Sequence, residues 1–348
     1  MNLSAEPSVP FESVEHTLAG YNELIGEELL RWFPERNGGD VWSLALDYPS
    51  RPGKGLRPGL MLAACQAFGG SPIDALAPAT SLELLHNAFL IHDDVEDAST
   101  HRRGRPTLHA LHGSARAINA GDALGFVAQL PLRERAGLSA RVHRRVLSEF
   151  EQMAQLTVEG QDRELEWRDT VDAAPTPEDY LDLILHKTCW YTTICPLRVG
   201  AIIGSGGRVP LAALSRFGFL LGAAFQIRDD LLNLVEWSDA YGKERLGDIR
   251  EGKRTLMLIH LVDQVDGNDA AFLRGFLASP VAARDEPTLE RVLAMMVDHG
   301  SIAFAEEYGR GIALSAVDAF DDSFAEVPDS AHRRFVRALI PYMLARRH

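Results

Sequence analysis

Two aspartate clusters, Asp93-Asp94-Val95-Glu96-Asp97 and Asp229-Asp230, each close a long apolar run with helical spacing. Carboxylates beside apolar surface are costly unless something neutralises them. A chain with two such ends, more than a hundred residues apart, must bring positive charge to both. Basic residues follow each one: Arg102-Arg103-Gly104-Arg105 after the first, Gly242-Lys243 and Gly252-Lys253-Arg254 after the second. Glycine-flanked cations suit a diphosphate clamp. The pattern points to two jaws closing on divalent metal and a polyanion. An acidic helix end is more often solvated surface, but two of them with basic companions favour a site.

Helical periodicity dominates the rest, and few segments alternate as strands do. Pro78 opens a run without a breaker until Gly104, with Leu82, Leu85 and Phe89 at helical spacing. Thr176-Pro177-Glu178-Asp179 has the form of an N-cap with proline first. That helix passes through Leu181, Leu185 and Trp190 until Pro196, which should kink or break it. Pro210 opens another helix reaching at least Asn233. The breaks between runs are short, and none reads as an interdomain linker. The expectation is one large all-α domain over residues 16–348, with residues 1–15 as a flexible N-terminus.

The 348 residues carry a formal net charge of -14, which argues against nucleic acid as the main partner. Cys65, Cys189 and Cys195 lack the spacing of a zinc site or a disulfide framework. No signal peptide is visible at the N-terminus, and the apolar stretch Phe217 to Ile227 is too short to span a bilayer. A cytoplasmic protein with no transmembrane segment is expected.

Within the first cluster Asp93 and Asp97 are four residues apart and share a helix face, while Asp94 and Asp97 are three apart. Phe89 and His86 lie on the Asp93 stripe, so a bulky apolar wall sits one turn below the carboxylates. Gly222, Gln226, Asp229 and Asn233 form the matching stripe on the second helix. Oxygen ligands with room for water and phosphate suit Mg²⁺ better than zinc or copper. Lys187, inside an apolar helix, needs an anionic partner or a wet cavity. His86 taken alone reads as a core histidine.

In fixed order along the chain stand Gly53-Lys54-Gly55-Leu56-Arg57-Pro58, Leu84-Leu85-His86-Asn87, the first aspartate cluster and Arg102-Arg103-Gly104. After them come Gly121-Asp122, Gly160-Gln161, Lys187-Thr188, Phe225 to Asp230 and Gly252-Lys253. This set resembles the trans-isoprenyl diphosphate synthase (polyprenyl synthase) family over nearly the whole chain. The resemblance implies a helical fold around a central cavity, a homodimer, and three Mg²⁺ ions bound with substrate. It implies metal ligation by Asp93, Asp97 and Asp229, with Asp94 counted in the metal set and Asp230 supporting. Arg102, Lys187 and Lys253 would hold an allylic diphosphate, with Lys243 closing over it. Lys54, Arg57, His86 and Arg103 would hold isopentenyl diphosphate. Thr188 and Gln226 would turn oxygen dipoles toward the cationic carbon, and with Lys187 they form the catalytic set.

Two positions depart from the family pattern. Asn233 stands where an aspartate is common, and the Asp-Asp-x-x-Asn form resembles geranylgeranyl diphosphate synthases of the eukaryotic type. Gly55 stands where many members carry arginine, which would weaken one phosphate contact. Product length in the family is blocked four or five residues before the first aspartate, here Phe89 and Ala88. Ala88 removes one block and Phe89 keeps another, so a C20 product is expected, with C15 or C25 as neighbours. Competing readings are a terpene cyclase or head-to-head synthase on the same fold, against which Lys54, Arg57 and Arg103 argue. A non-catalytic modulating subunit is the other, against which the two intact clusters argue.

Overall fold

The computed structural model describes residues 11–33, 40–134, 137–235 and 245–345. Four helices open the chain: α1 (Phe11–Leu30), α2 (Asp40–Asp47), α3 (Leu56–Ala67) and α4 (Pro72–Glu96). A two-residue hairpin, β1 (His101–Arg102) with β2 (Arg105–Pro106), precedes α5 (Leu108–His112), α6 (Ser114–Arg133) and α7 (Ala140–Asp169). α8 (Pro177–Ile184) runs through a π-helical segment (Leu185–Ile194) into α9 (Cys195–Gly204), and α10 (Ala212–Val235) follows. The chain ends with α11 (Gly247–Glu251), α12 (Leu256–Gln264), α13 (Gly267–Ala278), α14 (Glu286–Asp298), α15 (Ser301–Ser323) and α16 (Ala331–Ala345). The all-α reading holds. Of the expected loose N-terminus, residues 1–10 lie outside the described residues, and 11–15 begin α1.

Side-chain caps fix the ends of the site helices. Thr176 and Asp179 form a reciprocal capping box on α8, as the sequence suggested. Ser71 and Asp74 do the same for α4, which therefore starts before Pro78 rather than at it. Pro78 sits in the second turn, where its missing N–H forfeits one bond to the Asp74 carbonyl. Pro196 does not end its helix either. It occupies the first turn of α9, and the chain reaches it through the π segment, whose last bond runs from the Cys195 N–H to the Trp190 carbonyl.

Two hydrophobic cores flank α4. The larger joins α1, α3, α9, α10 and α16, with Leu60 through Cys65 of α3 buried throughout. The smaller joins α2, α4 and α6 through Tyr48, Leu84, Ala88, Ile91 and Leu124. The π segment lies between α7 and α10 at close quarters. A Cβ at Gly160 would collide with the Lys187 backbone, and one at Gly222 would crowd Thr193 and Cys189. Among the described residues no helix is long and apolar enough to cross a membrane.

Gly160→Ala should therefore push α7 off the π segment, with an overpacking cost of about 1–3 kcal/mol. Urea denaturation measures it, and a change within experimental error would show that the close approach is dispensable.

Candidate active site

A cavity of about 780 Å³ opens where α4, α7, the π segment and α10 converge. Asp93 and Asp97 line one side, and Asp229, Asn233 and Asp248 the other. Among the described residues no three His, Cys, Asp or Glu side chains are gathered closely enough to hold an ion by themselves. That donor set fits Mg²⁺, which is ordinarily bound by one or two carboxylates plus water and substrate phosphate rather than by a protein cage.

The first cluster divides by helix geometry. Asp93 faces the cavity, with Arg102 Nη2 at 3.3 Å and Lys187 Nζ at 3.6 Å. Asp94, one residue on, points about 100° away. It is 1% exposed, accepts from the Tyr48 hydroxyl, and accepts from Arg102 through both Nη2 and Nε, the latter at 2.9 Å. Asp94, counted in the metal set from the sequence, is thus no part of the cavity wall; it anchors Arg102. Asp97 accepts a hydrogen bond from Arg168. Burial and the nearby Asp93 carboxylate push its pKa up to about 7.

The hairpin that carries Arg102 turns at Arg103 and Gly104, both with positive φ (53° and 71°), the geometry that two-residue hairpins favour. Buried Arg51 holds it from below, donating to the Arg102 and Pro106 carbonyls at 2.8 Å each and to Asp47 through Nε. Arg103 lines the cavity while its Nη1 donates to the Tyr48 and Arg51 carbonyls at 3.3 and 3.2 Å.

The second cluster repeats the division. Asp229 lines the cavity, whereas Asp230 is 2% exposed. Asp230 accepts from the Tyr180 hydroxyl at 2.8 Å and Gln226 Nε2 at 2.7 Å, with Lys253 Nζ 3.8 Å away. Burial pushes its pKa up to about 7 against the pull of Lys253. Asn233 uses its oxygen to accept from the Asp248 amide at 3.1 Å, tying α10 to α11 and bringing the Asp248 side chain into the cavity wall. Thr188 Oγ1 donates to Gln226 Oε1 at 3.1 Å, so its hydrogen is committed and its lone pairs are not.

Lys187 finds the anionic partner that its position demands in buried Glu164. Burial opposes the lysine charge, but Glu164 and Asp93 outweigh it and hold its pKa above the ordinary value. Burial likewise opposes the Glu164 carboxylate, and Lys187 and Lys253 reverse that effect. Lys253 also lines the cavity.

Lys54, Arg57, His86 and Arg103 also line the cavity, and Arg57, Arg103 and Arg102 all act on the His86 ring. Arg57 Nη1 lies 3.2 Å from His86 Nε2, and Nη2 donates to the Tyr191 hydroxyl at 3.0 Å with the guanidinium 4.4 Å over that ring. Burial, then Arg57 and Arg103, push the His86 pKa well below its ordinary value, so the ring is neutral. Its Nδ1 is buried without a protein partner. Gly55 has φ +58°, and the Asn22 side chain fills the space that a Cβ there would need. That accounts for the missing arginine: α1 has taken its place.

Phe89 lines the cavity and packs edge-on to Tyr191, with ring centroids 5.9 Å apart. Ala88 does not line it; it is buried in the smaller core with Ala117 and Leu124, so only Phe89 of that pair forms the wall. Lys243 lies outside the described residues. Sequence reasoning missed Tyr48, Arg51, Glu164, Arg168, Tyr191 and Asp248. For Glu164 and Arg168 a signal existed, since Gly160, Glu164 and Arg168 repeat every fourth residue on one stripe of α7.

The chain matches the polyprenyl synthetase family over residues 41–296. It is 32% identical to the short chain isoprenyl diphosphate synthase of Methanothermobacter thermautotrophicus over 296 residues, 85% of this chain and 87% of that one. It is 30% identical to the geranylgeranyl diphosphate synthase of Saccharolobus solfataricus, covering 80% of this chain and 81% of the other. The crystal structure of geranylgeranyl pyrophosphate synthetase from Pyrococcus horikoshii superposes with a TM-score of 0.85 at 31% identity, covering 97% of this chain and 99% of that one.

Removing the Glu164 charge tests the buried pair. Glu164→Gln should cost about 1.5–3 kcal/mol, the range for a charge-assisted hydrogen bond. Chemical denaturation reads it, and an unchanged midpoint would mean that Lys187 is held by other groups.

Proposed function

The chain belongs to the polyprenyl synthetase family and is a trans-prenyltransferase, and on that premise we propose that it joins isopentenyl diphosphate head-to-tail to an allylic diphosphate to give C20 geranylgeranyl diphosphate, with C15 or C25 as neighbouring products. The observation that carries this reading is the presence of two sets of cations in the lining of one cavity. Arg102, Lys187 and Lys253 stand against carboxylates, and Arg57 and Arg103 stand beside neutral His86, with Lys54 also in the lining. Two diphosphates need two such sites. A cyclase needs one.

The allylic diphosphate is held by Arg102, Lys187 and Lys253, whose own partners Asp94, Glu164 and Asp230 fix them in place. Three Mg²⁺ ions, held by Asp93 and Asp97 on one side and Asp229 on the other, would add positive charge where the departing diphosphate develops its negative charge. The allylic carbon–oxygen bond breaks, and its electron pair leaves with pyrophosphate. Lone pairs of Thr188 Oγ1 stabilise the allylic cation, and Gln226 orients that hydroxyl. The isopentenyl double bond then supplies the electrons of the new carbon–carbon bond, and the adduct loses a proton to the released pyrophosphate. Phe89, backed by Tyr191, excludes water below the reacting carbons and sets the length of the product.

A homodimer completes the reading. α6 buries Ala117, Ala120 and Leu124 against α4 and turns Ile118, Phe126 and Leu130 outward at multiples of four residues. Phe126 is 71% exposed at the centre of that stripe, which a second copy of the chain would cover.

Incubation with isopentenyl diphosphate, each allylic starter and Mg²⁺ should yield prenyl diphosphate centred on C20; no condensation with any starter would refute the proposal. Phe89→Ala should lengthen the product by one or more units, since a helical turn of about 5.4 Å matches roughly one isoprene. An unchanged product would remove Phe89 as the wall. Phe126→Asp should convert the dimer to monomer in sedimentation velocity, and a dimer that survives it places the interface elsewhere.

A further inference from the structure

Arg168, which none of the roles above includes, reaches the first aspartate cluster from α7. Its Nη1 donates to Asp97 Oδ1, and its Nη2 lies 3.4 Å from the carbonyl oxygen of Glu96. The two side chains are nearly buried, 12% and 11% exposed. Asp97 is the C-cap of α4, and Glu96 is the last residue of that helix. A cation at a helix C-terminus interacts favourably with its unsatisfied carbonyls and with the dipole. One guanidinium therefore binds both the backbone turn from which Asp97 projects and one of the two oxygens of its carboxylate.

The other members of the cluster are held in the same way. Asp93 lies against Arg102 and Lys187, and Asp94 is bound by Arg102. Asp97 is hydrogen-bonded by neither of these cations; the Lys187 charge attracts it, while the like charges of Asp93 and Glu164 repel it. Among the described residues, Arg168 is the side chain that hydrogen-bonds the Asp97 carboxylate.

We propose that Arg168 is a positioning residue that aims Asp97 at the metal, fixing one carboxylate oxygen so that the other faces the cavity. This rests on the reading of Asp93 and Asp97 as metal ligands given above. The groups that hold metal-ligating carboxylates typically contribute 10–100-fold to metal affinity. The stripe on α7 then has three assigned positions: Gly160 admits the π segment, Glu164 holds Lys187, and Arg168 holds Asp97.

The test is Mn²⁺ binding to the full-length protein with a non-reactive allylic diphosphate analogue present, read from the electron paramagnetic resonance signal of the free ion against the analogue alone, with circular dichroism confirming the fold. Arg168→Met should weaken Mn²⁺ binding about 10-fold or more. Arg168→Lys keeps the charge but not the two-pronged geometry, and should fall between Met and wild type. Unchanged affinity in Arg168→Met would overturn the proposal, and tighter binding would overturn it by showing that Arg168 competes with the metal. Asp93→Ala separates the two levels of the argument. If Asp93→Ala loses Mn²⁺ while Arg168→Met keeps it, the role of Arg168 alone fails; if Asp93→Ala also keeps Mn²⁺, the metal site itself is misassigned.

Discussion

In both aspartate clusters the second carboxylate is buried against a tyrosine hydroxyl and a cation: Asp94 with Tyr48 and Arg102, Asp230 with Tyr180 and Lys253. A buried charge without a partner is far more costly than a paired one, and breaking such a pair commonly costs about 3–5 kcal/mol. Each pair therefore fixes a cation at the edge of the cavity while the first aspartate of the cluster stays in its wall. The division of labour follows from the helix itself, because adjacent residues point about 100° apart. The cations at the cavity edge and the carboxylates proposed to bind metal are positioned by the same residue pairs.

The centre of the site depends on a second constraint. Lys187 and Thr188 lie on a π-helical segment held between Gly160 of α7 and Gly222 of α10. π-helical insertions recur at functional sites because the widened turn redirects side chains. Here the segment presents Lys187 to Asp93 and Glu164, Thr188 to Gln226, and Tyr191 to Arg57 and Phe89. Tyr191 thus touches both Phe89 of the apolar wall and Arg57 of the cation set.

Much of this was legible from residue spacing. The four-residue interval of Asp93 and Asp97 placed them on one face, and the isolation of Lys187 in an apolar helix required an anion, which Glu164 supplies. Asp94 could not be separated from its neighbours, because three- and four-residue intervals both describe one helix face and only packing against Tyr48 decides between them. Ala88 has the same difficulty: its small side chain fits a cavity wall or a core, and α6 claims it for the core. Pro78 and Pro196 misled as punctuation because capping at Ser71 and the π segment override a single missing amide. The role of Asn22 beside Gly55 arises between residues distant in sequence, which no local pattern reveals.

In the proposed site Asp93, Asp97 and Asp229 bind metal while Asp94 and Asp230 hold cations. A crystal structure with Mn²⁺ and a non-reactive allylic diphosphate analogue tests it through anomalous difference density. Peaks are expected beside Asp93 and Asp97 and beside Asp229, with Asp94 still on Arg102 and Asp230 still on Lys253. Density at Asp94 or Asp230, or none at Asp93 and Asp229, would contradict it.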